Sequence, residues 1–470
     1  MIISINKIVT GRFIVFVRIY EDIMLSWKNK QNRQPLLVEG ARQVGKSFLI
    51  EKRFAPKHFE KTLKLDFMQT PEFSAIFDDG LSPKSIIRNA EIATGQAFNP
   101  DTDLLYFEEV GMCKQALESL KYFSQDAPNI FLIATGSNIG LFGRFPVGKT
   151  LRITIYPLTF QEFMLACGEH ILAQLLNEHP SSIPKIAHDK LMKALNDYLF
   201  VGGMPDAIKE WTAGINSDQS ILKTLQNVRD TQNQLVTDYI NDFGKFSEGE
   251  KMSALMVERI YRNIPVQLAQ TQNEKPIPKF QFKQVNPNRN TSYADVSSPI
   301  SFLGKLNLVQ RIGLIDTADS KFPLASYRQE SLFKLTLTDI GLLNAMANIQ
   351  YKQIINKDFA FKGFIAEVFV LNEIVSAHIR PSNAAFYAYK KGESEVEFLF
   401  QGASGYPIPL EVKSGKNTKA KSLTALVTRF DLPKAYKLSA NLVEVNAQRV
   451  VEQWPIYLAR TLYKTKIVNH

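Results

Sequence analysis

Residues 40–47 read Gly-Ala-Arg-Gln-Val-Gly-Lys-Ser, directly after the apolar run Leu36-Leu37-Val38 and directly before Phe48-Leu49-Ile50. The spacing is G-x-x-x-x-G-K-[ST], and it constrains this chain more than any other feature. A strand must feed a glycine-rich turn and the turn must open a helix, a unit whose natural setting is a parallel sheet. The glycines let backbone N–H groups turn inward, and the helix N-terminus adds its dipole. Lys46 brings a point charge and Ser47 a hydroxyl suited to Mg2+. Gly40, Ala41, Arg42, Gln43, Val44, Gly45, Lys46 and Ser47 are therefore the candidate nucleoside triphosphate contacts.

The surrounding pattern agrees with that unit. From Gln34 to about Pro157, Leu36–Val38, Thr62–Phe67, Leu104–Phe107 and Ile130–Ala134 alternate with helical stretches, as buried strands of a parallel sheet do. Beyond Pro157, Phe160–Leu165 and Asp189–Leu199 show helical spacing up to the Gly202-Gly203 break. Residues 274–289 are rich in Pro, Asn, Gln and Lys, with no acid after Glu274, and read as a loop or arm. A helix over Ile300–Leu308 and strands at Val309–Ile315 and Phe333–Leu337 suit a winged-helix module. The last unit begins with a helix over Phe364–His378 and continues with strands at Ala385–Tyr389, Glu395–Phe400 and Ile408–Val412.

The expected division is an N-terminal extension (1–20), a P-loop core (21–165), a helical lid (166–245), a winged-helix-like part (246–350), a C-terminal α/β domain (357–450) and a tail (451–470). A length of 470 residues has room for about three domains with ample core. Two cysteines build no disulfide framework and six scattered histidines show no zinc spacing, so a cytoplasmic protein is expected. The formal charge of +10 favours polyanionic partners. Near the N-terminus, Phe13–Val17 is flanked by Arg12 and Arg18 and falls far short of the roughly 20 residues a membrane span needs. No membrane span is expected.

Chemistry beyond the loop needs a carboxylate at the end of a neighbouring strand to hold the Mg2+ shell, and a base beside it to activate water. Leu104-Leu105-Tyr106-Phe107-Glu108-Glu109 supplies both, with Glu108 on the metal side and Glu109 as base. Ile130–Ala134 leads into Thr135-Gly136-Ser137-Asn138, where Ser137 or Asn138 would touch the γ-phosphate or the attacking water. Arg144 and Lys149 are candidates for a positive group acting in the same or a neighbouring subunit.

These residues resemble the prokaryotic AAA-like P-loop ATPases that carry a C-terminal DUF4143 domain. The resemblance is carried by residues 40–47, Ala134-Thr135-Gly136-Ser137, Phe145-Pro146-Val147-Gly148, Tyr156-Pro157-Leu158-Thr159-Phe160-Gln161-Glu162-Phe163, Val201-Gly202-Gly203-Met204-Pro205, Phe333-Lys334-Leu335, Asp339-Ile340-Gly341-Leu342-Leu343 and Pro409-Leu410-Glu411-Val412-Lys413-Ser414-Gly415. It implies an AAA-like ATPase core using ATP and Mg2+, a helical lid, a winged-helix-like middle and a C-terminal domain similar to PD-(D/E)XK nucleases. The chain departs from the family pattern at Glu108 and Glu397, where the usual residue is Asp.

A nuclease-like site needs carboxylates for Mg2+ and a lysine beside the scissile phosphate. The candidates are Glu367, Glu397, Glu411 and Lys413. Strand alternation puts Glu411 and Lys413 on one face, and Glu395 and Glu397 together on another strand's face, so either of the latter could serve; the resemblance favours Glu397. Lys413, Lys416, Lys419 and Lys421 form a basic cluster suited to phosphate contact. The expected function is a Mg-dependent ATPase acting as a nucleotide-driven switch or motor, with double-stranded DNA as client and a homo-oligomer as a possible assembly. The alternatives are a regulatory nucleotide-binding module with little hydrolysis and a non-cleaving C-terminal domain, and an ATP-licensed nuclease.

Overall fold

The computed structural model describes residues 16–137, 139, 148–247, 253–270, 279–286, 290–356, 362–379, 385–415, 420–442 and 450–468. Five short strands form the first sheet: β1 (Leu36–Glu39), β2 (Thr62–Asp66), β3 (Leu104–Glu108), β4 (Phe131–Gly136) and β5 (Leu151–Thr154). They are parallel, in the order β2-β3-β4-β1-β5, so β4 is inserted between the strand before the loop and the strand before the acidic pair. All four residues of β1 are buried, as a central strand covered on both faces requires. At the edge, β5 escapes the apolar pattern because Arg152 occupies it; its guanidinium grips Glu39 through two bonds of 2.9 and 2.8 Å.

Helices α1 (Pro83–Thr94) and α2 (Lys114–Asp126) pack Ile86, Ala90, Leu117, Leu120 and Phe123 onto one face of this sheet. A helical layer follows: α3 (Phe160–Ala166), α4 (Lys185–Val201), α5 (Pro205–Ile215) and the long α6 (Ile221–Ser247). The start of α3 is fixed by a capping box, with Thr159 and Glu162 each satisfying the other's backbone N–H.

Helices α7 (Ala254–Gln270), α8 (Phe282–Val285) and α9 (Tyr293–Lys305) precede the antiparallel pair β6 (Val309–Ile315) and β7 (Phe333–Leu337). The helix expected at Ile300–Leu308 starts seven residues earlier and stops at Lys305, because Ser292 and Asp295 form a capping box at its start. After α10 (Ile340–Met346) and α11 (Lys362–Val375) come β8 (Phe386–Lys391), β9 (Ser394–Gln401), β10 (Pro407–Val412), α12 (Lys421–Phe430), β11 (Ala435–Ser439) and β12 (Val451–Pro455). Because β6 pairs in parallel with β8, a single mixed sheet runs β12-β11-β10-β9-β8-β6-β7. It crosses the division at 350–357, and the stretch beyond residue 450 supplies its edge strand, with Trp454 and Tyr457 buried.

Three motifs without obvious chemistry meet in one joint. Leu158 N–H donates to Gly203 O at 2.7 Å, Gly203 N–H donates to Asp339 Oδ2 at 2.6 Å, and Leu342 N–H donates to Asp339 Oδ1 at 2.8 Å. A Cβ on Gly203 would meet Leu158 O at 2.2 Å, and one on Gly341 would meet Val201 O at 2.4 Å, so close backbone approach dictates both glycines. Burial raises the Asp339 carboxyl to about 6 against the pull of these N–H donors.

Candidate functional site

The loop after β1 closes around its own lysine. Lys46 Nζ donates to Gly40 O at 3.0 Å, Ala41 O at 2.8 Å and Ser137 Oγ at 2.9 Å. The side chain is buried; desolvation pulls its amine down to about 8, while Glu109 acts in the opposite direction. Ser137 stands at the end of β4, adjacent to β1, and its hydroxyl donates in turn to Glu109 Oε1 at 3.0 Å. Glu109 has a left-handed backbone, φ +49°, a conformation that costs a non-glycine residue about 1 kcal/mol. That turn brings its carboxylate to Ser137 at the end of the neighbouring strand.

Glu108 ends β3 and is shared between two partners. Ser47 Oγ donates to its Oε1, and the Lys64 ammonium pairs with its Oε2. Burial raises the Glu108 carboxyl despite both partners. A hydroxyl and a carboxylate side by side at the mouth of a phosphate loop are oxygen donors of the kind Mg2+ takes, so Ser47 and Glu108 fit the metal-side pair. Sequence reading missed Lys64, which lies on β2, outside any motif.

Helix α6 sits on the loop. Asp242 pairs with Arg42, Gln43 Nε2 donates to Asp238 Oδ2 at 3.3 Å, and Tyr239 OH donates to Arg42 O at 2.7 Å. From the other side, the buried Arg18 donates to Val44 O at 2.8 Å and Tyr156 O at 2.7 Å and pairs with Glu162 at 2.9 Å. In the sequence Arg18 stands only as the flank of the apolar run Phe13–Val17. Lys149 precedes β5 at the end of the sheet where β1 begins, opposite the end that carries the loop. Asn138, Arg144, Lys416, Lys419 and most of 274–289 lie outside the described residues.

The second sheet gathers the other candidates. Lys413 Nζ lies 2.6 Å from Glu411 Oε1 and 3.9 Å from Glu397 Oε1, while Val412 N–H donates to Glu397 Oε2 at 3.0 Å. Glu367 on α11 meets the cluster through Lys334 of β7, at 3.7 Å, and Lys334 also pairs with Glu395. Lys390 reaches the other Glu395 oxygen at 3.3 Å. Burial, then the Glu367 charge, raises the Glu397 carboxyl to about 8. Burial also acts upward on Glu395, but Lys334 and Lys390 outweigh it and hold that acid below its ordinary value. Lys334 appeared in the sequence only as part of a motif. Its ammonium and that of Lys413 offset part of the charge of these acids. Among the described residues no group of three or more His, Cys, Asp or Glu side chains is arranged to hold a metal ion.

A parallel sheet of this order, with the phosphate loop after β1 and the acidic pair after β3, defines the nucleotide-binding P-loop ATPase fold of the AAA type. Family models match three successive stretches: an AAA domain over residues 32–164, a domain of unknown function (DUF8612) over 192–353, and a domain of unknown function (DUF4143) over 362–458. The chain thus carries an N-terminal AAA domain and a C-terminal DUF4143 domain. The middle match runs across the division placed at residue 245 in the sequence reading. No curated protein matches the chain. Among solved structures, a Thermotoga maritima RuvB variant aligns with 14% identity over 62% of this chain and 88% of that one, at a TM-score of 0.28. No helix among the described residues is long and apolar enough to cross a membrane.

Proposed function

We propose that the protein binds Mg-ATP at residues 40–47 and hydrolyses it to drive a conformational switch that acts on DNA. The observation that carries this reading is the relay Lys46–Ser137–Glu109, with contacts of 2.9 and 3.0 Å, which joins the phosphate loop to the Glu109 carboxylate. Lys46 turns from the loop carbonyls to the β/γ oxygens, and Ser47 with Glu108 holds the metal side. Bound Mg2+ neutralises charge on those oxygens. Glu109 accepts the proton of the attacking water as the new P–O bond forms and the bond to the ADP oxygen breaks. Ser137, placed between base and lysine, senses the γ-phosphate.

Transmission has a physical route. Asp242 of α6 pairs with Arg42 of the loop, and the next residue, Phe243, packs against Tyr261 of α7 at 5.5 Å and Phe302 of α9 at 6.4 Å. A change at the loop therefore reaches the helices in front of the β6–β7 pair. In this reading α9 is the nucleic-acid-facing helix of a winged-helix-like part, with Ser298, Ser301 and Lys305 exposed, and the net charge of +10 attracts the phosphate backbone. The C-terminal domain is PD-(D/E)XK-like but non-cleaving, its acids balanced by Lys334 and Lys413. The protein works in the cytoplasm and assembles as a homo-oligomer.

Phosphate release from Mg-ATP, with and without double-stranded DNA, tests this beside Lys46→Ala and Glu109→Gln. DNA-stimulated release lost in both variants is the expected result. Nucleotide binding without release transfers the assignment to a regulatory module, and release indifferent to DNA removes DNA as the client.

A further inference from the structure

Lys64 stands at the ATPase site, and the P-loop chemistry does not use it. Its Nζ lies 2.7 Å from Glu51 Oε1 and 3.5 Å from Asp66 Oδ2, and it pairs with Glu108 Oε2. Three elements contribute these groups. Glu51 belongs to the π-helical turn Leu49–Phe54 that continues from the loop helix, Glu108 ends β3, and Lys64 and Asp66 lie on β2, where Asp66 is the in-register neighbour of Glu108. The Lys64 side chain is one-third exposed, so the ammonium is held at the rim of the site rather than sealed in the core.

Glu108 divides its oxygens between Ser47 and this ammonium. A glutamate has one more rotatable bond than an aspartate and loses more freedom when its carboxylate is fixed. A second anchor on the other oxygen supplies what the longer stem does not. The same ammonium also offsets one of three carboxylate charges, Glu51, Asp66 and Glu108, gathered around it.

We propose that Lys64 is a positioning residue of the ATP site, holding the Glu108 carboxylate against Ser47 and setting, by its charge, how much Mg2+ nucleotide binding requires. The proposal rests on the reading of Glu108 as the metal-side carboxylate. Removing the ammonium leaves three acids to attract the cation while it frees Glu108 to move. Mg2+ demand and turnover then fall together, a combination that a merely structural lysine does not give. Glu51→Gln acts in the opposite sense, because Lys64 loses a competing partner and is held more fully by Glu108.

The test uses the full chain, a fluorescent ATP analogue and a Mg2+ titration of its binding, with hydrolysis measured separately. Lys64→Met is expected to lower the half-saturating Mg2+ several-fold while slowing hydrolysis. Lys64→Arg should restore both, and Glu51→Gln should raise the half-saturating Mg2+. If Lys64→Met does not fold, Glu51→Gln carries the test. Binding in the wild type that does not respond to Mg2+ overturns the metal-side reading of Glu108 and the proposal with it. A Mg2+ response in the wild type that all three variants reproduce unchanged overturns the proposal alone.

Discussion

Glu373 on α11 accepts a hydrogen bond from the backbone N–H of Phe160 at 2.8 Å, across 213 residues of sequence. Phe160 is the first residue of α3, so a carboxylate from the C-terminal domain caps a helix of the ATPase region. The same helix carries Glu367 six residues earlier, in the acid–lysine cluster. One element thus serves both halves of the molecule.

Burial raises the Glu373 carboxyl from 4.5 to about 7. The folded protein holds this proton more tightly than the unfolded chain does, so its stabilising contribution is complete below the unfolded value and is lost as pH rises through about 7. Asp339 acts in the same direction, from 3.8 to about 6. Melting temperature should fall between pH 5.5 and pH 8, and Glu373→Gln, which keeps the acceptor oxygen, should flatten that fall. An equal slope in the variant, measured by circular dichroism, removes Glu373 as the cause.

At the joint, Gly341→Ala forces a methyl group toward Val201 O, 2.4 Å away on the present backbone. Overpacking of this kind costs about 1–3 kcal/mol. Urea unfolding should show that loss for Gly341→Ala and none for Gly304→Ala, whose Cβ would meet open space on the exposed face of α9.

The contact between Arg42 and Asp242 is partly exposed, so its removal should cost no more than about 1 kcal/mol. Its expected role is communication. In the wild type, nucleotide binding should change amide exchange in α6 around residues 236–243, and Asp242→Ala should abolish that change while leaving nucleotide bound. Retention of the nucleotide effect in the variant assigns the coupling to Tyr239 and its bond to Arg42 O at 2.7 Å instead.

For the second cluster, Lys334→Met leaves Glu367 and Glu395 without their shared ammonium. These side chains are partly exposed and Lys390 still reaches Glu395, so the loss should be no more than about 1 kcal/mol. The wild type should leave supercoiled plasmid intact in Mg2+ or Mn2+. Nicking that disappears in Glu411→Gln would assign cleavage to this site.

The phosphate loop was legible because its chemistry is contiguous: a strand, eight residues and a helix specify one another through local backbone geometry. Glu108, Glu109 and Ser137 could be read for a similar reason, each standing at the end of an apolar run long enough to count as a buried strand. Lys64, Asp242 and Arg18 left no such trace. Each is an ordinary charged residue until folding brings it to the loop or to the acid beside it, from β2, from α6, or from a segment before the first strand. Lys334 is a similar case: alternation on β7 gives its face, but only the pairing of β6 with β8 brings that face to Glu367 and Glu395. Sequence by itself determined the local units and the residue types able to meet phosphate, because those follow from short-range spacing. The tertiary structure decided which charges share a site and which acids already have a lysine, because partners distant in the chain are chosen by packing and by the cost of burying a charge alone.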